Sequence, residues 1–189
     1  MKLAYFTVPG RGETDAFVVE IAKAFEAQGL RIAGTVRERP VETGAHPCDM
    51  TLRVLPAGPV FRISQPLGTA SRGCRLDGGA IESISAQVEK RLPGADLLVV
   101  NKFGKAEAQG RGLCDAIIGA IDFGIPTLIG VNQRNIPDFE VFSAGLAVRL
   151  SPDIRAVRAW YETPEVPQGV TRHSKTASPR PARMSARQV

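Results

Sequence analysis

Between Leu3 and Phe25 the chain reads L-A-Y-F-T-V-P-G-R-G-E-T-D-A-F-V-V-E-I-A-K-A-F, and two kinds of periodicity meet inside it. Leu3 to Val8 is an apolar, β-rich run that ends at Pro9-Gly10-Arg11-Gly12, the pattern of a buried strand entering a tight turn. Phe17, Ile21 and Phe25 then recur every four residues with Val18 and Ala22 beside them, while Glu20, Lys23 and Gln28 occupy the other side. That spacing predicts an amphipathic helix, with Thr14 or Asp15 capping its start and Gly29 ending it. Arg31 to Val36 follows as a second strand. Strand, glycine turn, helix and strand form a βαβ unit, for which a right-handed crossover is expected.

Working outward, the same alternation continues. Arg37 to Asp49 is polar and carries Pro40, Gly44 and Pro47, as a loop would. Met50–Val54 and Val60–Ser64 flank Leu55-Pro56-Ala57-Gly58-Pro59 and predict a short antiparallel excursion. Asp77 stands where an N-cap belongs, ahead of a helical stripe of Ile81, Ile84, Val88 and Leu92. Leu97 to Val100 is uninterruptedly apolar, as in a strand covered on both faces. Leu113, Ile117 and Ile121 mark a helix closed by Gly124. Ile125–Val131 and Leu146–Leu150 read as further strands, and Pro152–Tyr161 as a terminal helix carrying Trp160. The expectation is an α/β domain over residues 1–161, its sheet mainly parallel and flanked by helices.

Composition narrows the function. The 189 residues carry a net charge of +5 with 6% aromatic residues. From Glu162 onward Arg172, Lys175, Arg180, Arg183 and Arg187 face Glu162 and Glu165, so this stretch holds +3 and the body only +2. Such a body lacks the basic stripe and stacking aromatics of a nucleic-acid binder. Residues 162–189, with Pro164, Pro167, Pro179 and Pro181 and few large apolar side chains, read as a flexible basic tail. No apolar run approaches the ~20 residues of a membrane span, and the N-terminal residues lack a signal-peptide pattern. Cys48, Cys74 and Cys114 are too few and too scattered for a disulfide framework. A cytoplasmic protein is expected, with no membrane partner. His46-Pro47-Cys48 has no second ligand pair, so no metal site is assigned. Motifs of the GxSxG, HExxH and paired CxxC kinds are absent from the sequence.

In open α/β sheets ligands gather beyond the carboxyl ends of the strands. Three segments there are rich in glycine and charge: Thr7–Thr14, Ser71–Asp77 and Asn101–Gly112. They supply Gly10, Arg11, Gly12, Glu13, Thr14, Arg72, Arg75, Asn101, Lys102, Lys105 and Arg111 as candidates for binding a nucleotide or another anion. Glycines free backbone N–H groups for an oxyanion, and a helix start adds partial positive charge. The same glycines also suit a plain tight turn, and single cations suit ordinary surface roles. Cys114 lies in an apolar helix and reads as core.

The first segment resembles a P-loop, G-x-x-x-x-G-K-[ST]. Gly12 and Thr14 match it, whereas Thr7 replaces the first glycine and Glu13 the lysine. Asn101-Lys102-Phe103-Gly104-Lys105-Ala106-Glu107 is similar to the Walker B region of small P-loop nucleoside triphosphatases, with Asn101 and Lys102 in place of the acidic pair. The body as a whole, about Met1 to Trp160, resembles an uncharacterised bacterial domain family found near molybdenum-uptake and nitrogenase-related genes. That likeness rests on S-R-G-C-R-L-D at Ser71–Asp77, N-K-F-G-K-A-E-A-Q-G-R-G at Asn101–Gly112, Gly124-Ile125-Pro126 and Trp160. It implies a P-loop-like fold and a molybdenum-related setting, with no reaction attached.

The departures decide what to expect of catalysis. Two unit charges ~4 Å apart interact by about 4 kcal/mol at an effective dielectric of 20, so an acid at the lysine position opposes a β/γ-phosphate. Asn101 and Lys102 offer no carboxylate for magnesium. The sequence therefore points to a small anionic ligand (a nucleotide, phosphate or molybdate) bound without standard ATP hydrolysis. The alternative is an active nucleoside triphosphatase or phosphohydrolase in which Lys102 or Lys105 replaces the lysine and Glu107 or Asp115 positions water. A third reading is an adaptor acting through the basic tail. An acid at the lysine position and a base at the acid position also predict that Glu13 and Lys102 face and neutralise each other.

Overall fold

The computed structural model describes residues 1–10, 12–38, 50–65 and 76–164. Seven strands, β1 (Leu3–Phe6), β2 (Ile32–Glu38), β3 (Thr51–Leu55), β4 (Val60–Arg62), β5 (Leu97–Phe103), β6 (Thr127–Val131) and β7 (Val148–Arg149), form one sheet in the order β4-β3-β2-β5-β6-β1-β7. The five from β2 to β7 in that order are parallel; β3 and β4 add an antiparallel edge, as the turn residues around Pro56 and Gly58 predict. The helices are α1 (Glu13–Glu26), α2 (Gly78–Glu89), α3 (Lys105–Ala108), α4 (Cys114–Asp122), α5 (Ile136–Phe142) and α6 (Ile154–Glu162).

Alternation along the strands splits the core into two layers. Ala4, Phe6, Leu97, Val99 and Leu128 face Phe17, Val18, Ile21 and Phe25 of α1 and Val157 of α6. Leu3, Tyr5, Leu98, Val100 and Ile129 face the stripe Ile81, Ile84 and Val88 of α2, with Ile117 of α4 and Phe139 of α5. Each fully buried side chain of this size contributes about 1.5–3 kcal/mol relative to exposure. The helix α5 was not anticipated from the sequence. It is anchored by rings, Phe139 packing on Tyr5 and Phe103 with centroids 4.9 and 5.1 Å apart. At the far end Lys2 donates to the carbonyls of Tyr161 and Thr163 and lies 5.6 Å from the Trp160 ring centroid, tying α6 to the first strand.

Several local readings change. The N-cap of α1 is Gly12, at φ 86°, with no side-chain cap. Thr14 and Asp15 lie inside the first turn rather than capping it: the Thr14 hydroxyl turns back to Val8, and Asp15 points under the sheet rim. Asp77 caps α2 as predicted, accepting the Ala80 N–H at 3.1 Å. Asn101 and Lys102 belong to β5, not to a loop beyond it, and the loop expected through Gly112 contains α3. The undescribed residues include His46, Cys48, Arg72, Cys74, Arg75 and all of the tail beyond Pro164.

One irregularity positions the site. On β5 the pairing passes from Val100↔Ile129 to Phe103↔Val131, so three steps on β5 match two on β6. This bulge carries Asn101 and Lys102 and sits opposite Gly130. A Cβ on Gly130 would lie 2.6 Å from the Asn101 carbonyl oxygen and 2.9 Å from the Thr14 methyl, so only glycine admits both β5 and α1 there. Gly130→Ala should therefore destabilise the fold by about 2 kcal/mol through overpacking, lowering the melting temperature by roughly 4–8 °C for a chain of this size. Thermal denaturation followed by circular dichroism checks this.

Candidate functional site: the rim around Asp15

The bulge turns Asn101 and Lys102 toward the start of α1. Asp15, only 5% exposed, receives them. Its Oδ1 lies 3.2 Å from Lys102 Nζ and accepts from Asn101 Nδ2 at 3.1 Å, while Oδ2 accepts from Arg37 Nη1 at 2.8 Å. The Asn101 amide oxygen in turn accepts the Arg37 backbone N–H at 3.2 Å. The Asn101 N–H donates to the Thr35 hydroxyl at 3.3 Å. One carboxylate thus joins α1 to β2 and β5. Arg37 and Lys102 remain about a third exposed (34% and 36%), so each keeps part of its charge available to solvent or to a ligand.

Glu107 plays a different part from the one its sequence position suggested. It is 7% exposed, and its Oε2 accepts the Gly104 N–H at 2.9 Å while Oε1 accepts the Leu113 N–H at 3.2 Å. Both oxygens are therefore used to close the turn between β5 and α4. Beside it the Cys114 thiol donates to the Glu107 carbonyl at 3.2 Å. Burial first, and then the nearby Glu107, Asp115 and Glu82 carboxylates, push this thiol up to about 11. It is core, as its helix position indicates.

The other candidates separate. Gly10 and Gly12 have positive φ at the turn before α1, and Glu13 is exposed in the first turn with its Cγ 2.8 Å from where a Gly10 Cβ would be. The acid that meets Lys102 is Asp15, two residues beyond Glu13, because α1 turns position 15 toward the sheet and position 13 away from it. Asp15 and Arg37 were missed as site residues. The signal was a charged side chain three residues before Val18, on the stripe that α1 buries, but it was read as a cap. Arg37 was read as loop, whereas β2 extends through it. Lys105, Arg111 and Asp115 are exposed, and Arg11, Arg72 and Arg75 lie outside the described residues.

A cleft of about 140 Å³ opens beside this network. Arg37, Asp15, Asn101, Lys102, Lys105 and Glu107 contribute its polar lining, and Met50, Leu52, Ile63, Ile81 and Leu113 its apolar wall. Gly10, Gly12 and Thr14 do not line it, whereas Asp15, one residue beyond Thr14, does.

The architecture is that of a P-loop nucleoside-triphosphatase-like α/β fold. A human protein described as a cancer-related nucleoside triphosphatase, solved in solution, superposes with a TM-score of 0.57 at 15% identity, over 79% of this chain and 87% of that one. The chain belongs to the DUF2478 family, described as proteins of unknown function, whose pattern matches residues 3–160. A relative from Bradyrhizobium diazoefficiens, the molybdenum import ATP-binding protein ModC 2, is 32% identical over 152 residues. The match takes in 79% of this chain but 17% of that relative, so this chain corresponds to a small part of it. Among the described residues no helix is long and apolar enough to cross a membrane.

Two measurements check this geometry. Asp15→Ala leaves Arg37, Lys102 and the Asn101 amide without their acceptor; allowing for the partial exposure of both cations, a loss of about 2–3 kcal/mol is expected in chemical denaturation. Cys114, protonated at neutral pH, should resist iodoacetamide at pH 8 in the native protein and react once urea unfolds the chain, as peptide mass spectrometry would reveal.

Proposed function

We propose that this chain is a binding module for a nucleotide or a small oxyanion, built on a P-loop-like scaffold and lacking the standard ATP-hydrolysing apparatus. The observation that carries the reading is the charge of the rim. Among the described lining residues Arg37, Lys102 and Lys105 stand against Asp15 and Glu107, one cation more than the acids. An anion entering there meets Lys102 and Lys105 at the end of β5, where ligands gather in open α/β sheets.

The chemistry of the side chains argues against hydrolysis. Asn101 and Lys102 replace the acidic pair of the resembling triphosphatases, so this position offers no carboxylate for a divalent cation, and the Asn101 oxygen already accepts the Arg37 N–H. Glu107 would be the residue to orient a water, yet both its oxygens already accept backbone N–H groups. Without those charge-stabilising parts phosphoryl transfer has little left to accelerate it. The name of the Bradyrhizobium relative favours an accessory role in molybdenum-related metabolism, with ATP and molybdate as the first ligands to try; a cytoplasmic setting is part of the same proposal.

A thermal-shift panel of ATP, GTP, phosphate, molybdate and tungstate tests the reading. A ligand at 100 times its dissociation constant adds ~2.7 kcal/mol to stability, which should raise the transition by several degrees. Lys105→Ala, an exposed position, should abolish that shift while leaving the ligand-free transition in place. Phosphate release from ATP with magnesium should not exceed the buffer rate. A panel in which no ligand moves the transition would sink the proposal.

A further inference from the structure

The cleft beside Asp15 is only partly an anion site, because most of its depth is hydrocarbon. Leu52, Ile63, Ile81 and Leu113 line it and are 3–7% exposed, so they belong to the same core cluster that covers one sheet face. The cations stand along one side, with Lys102 and Arg37 held in place by Asp15. We infer that the occupant is a small organic monoanion: one ring-sized apolar body carrying a single carboxylate attached directly to it. This rests on the anion-binding part of the reading above and adds what fills the rest of the cleft.

Size and charge each set a limit. An apolar cavity of about 150 Å³ lined by aliphatic and aromatic side chains stays dry and takes up benzene, and this cleft measures about 140 Å³. A bare oxyanion held at Lys102 and Lys105 would leave the aliphatic wall uncovered, so an occupant that fills the cleft carries hydrocarbon as well. Among the described lining residues three cations stand against two carboxylates, an excess of one positive charge that suits one negative charge on the ligand. Asn101 is held by Asp15 and by the Arg37 N–H, which take one of its amide donors and its amide oxygen. Lys102 and Lys105 are the groups that meet the anion. Asp15 is a positioning residue, holding the Lys102 ammonium at the cleft.

Isothermal titration of the full chain with benzoate, its neutral isostere benzamide, inorganic phosphate and ATP separates the possibilities. Methyl resonances of Leu52, Ile63, Ile81 and Leu113 in a ¹³C-labelled sample report where binding occurs. Expected are benzoate-induced shifts of those methyls and benzamide binding at least tenfold weaker. Leu113→Phe, which narrows the cleft, should remove benzoate binding, and the wild-type methyl shifts decide the matter should that variant not fold. Phosphate or ATP binding without any benzoate response overturns the monoanion inference and leaves the proposed function standing. Benzamide binding as tightly as benzoate overturns it as well. No response to any of the four overturns the monoanion inference, and the proposed function falls with it only if GTP, molybdate and tungstate also leave the thermal transition unmoved.

Discussion

A carboxylate with almost no access to water must be surrounded by donors, since an unpaired charge in such a place costs several kcal/mol. Asp15 meets that requirement by drawing Lys102, Asn101 and Arg37 to itself from two strands that are neighbours in the sheet. Much of the rim follows from this constraint. The bulge in β5 is where Asn101 and Lys102 can both turn toward α1, and Gly130 is the vacancy on β6 that lets the bulge and the helix approach together. A single charge on the buried face of one helix therefore fixes the spacing of α1, β2 and β5. It also leaves the two cations only half-neutralised, which is the property that any anion-binding role would use.

The architecture was legible because it depends on hydrophobic periodicity. Phe17, Ile21 and Phe25 identify α1, Ile81, Ile84 and Val88 identify α2, and Leu97–Val100 marks a strand buried on both faces; each packs where its pattern requires. What escaped was set by tertiary contacts. A bulge is a relation between two strands, and nothing in Val100-Asn101-Lys102-Phe103 distinguishes a strand with an extra residue from a strand that ends. The short α3 holds together through the Glu107 carboxylate rather than through a stripe. The α5 segment does carry Ile136, Phe139 and Phe142 at helical spacing, but its Pro137 and its brevity resemble a loop until Phe103 and Tyr5 supply a surface for its rings.

The site was legible in its chemistry and not in its partners. That a base at the position of an acid should find a carboxylate near the start of α1 is an electrostatic inference, and Lys102 does so. Choosing between Glu13 and Asp15 requires the phase of the helix. Position 15 lies three residues before Val18 and so falls on the buried stripe, whereas position 13 does not. Treating Asp15 as a possible cap concealed this, because capping and burial both suit a short acidic side chain at a helix start.

Charge relocation, with the fold retained, links these findings. Where the resembling triphosphatases place a lysine on the helix turn and acids on the strand, this chain has Asp15 on α1 paired directly with cations on β2 and β5. Opposite charges thus meet at that junction and tie the helix to the two strands. The consequence for binding is directional. The cations paired with Asp15 stand on β2 and β5, and the opening beside them is flanked by aliphatic side chains. On the proposed reading, a ligand in this opening meets hydrocarbon contact together with an ionic group.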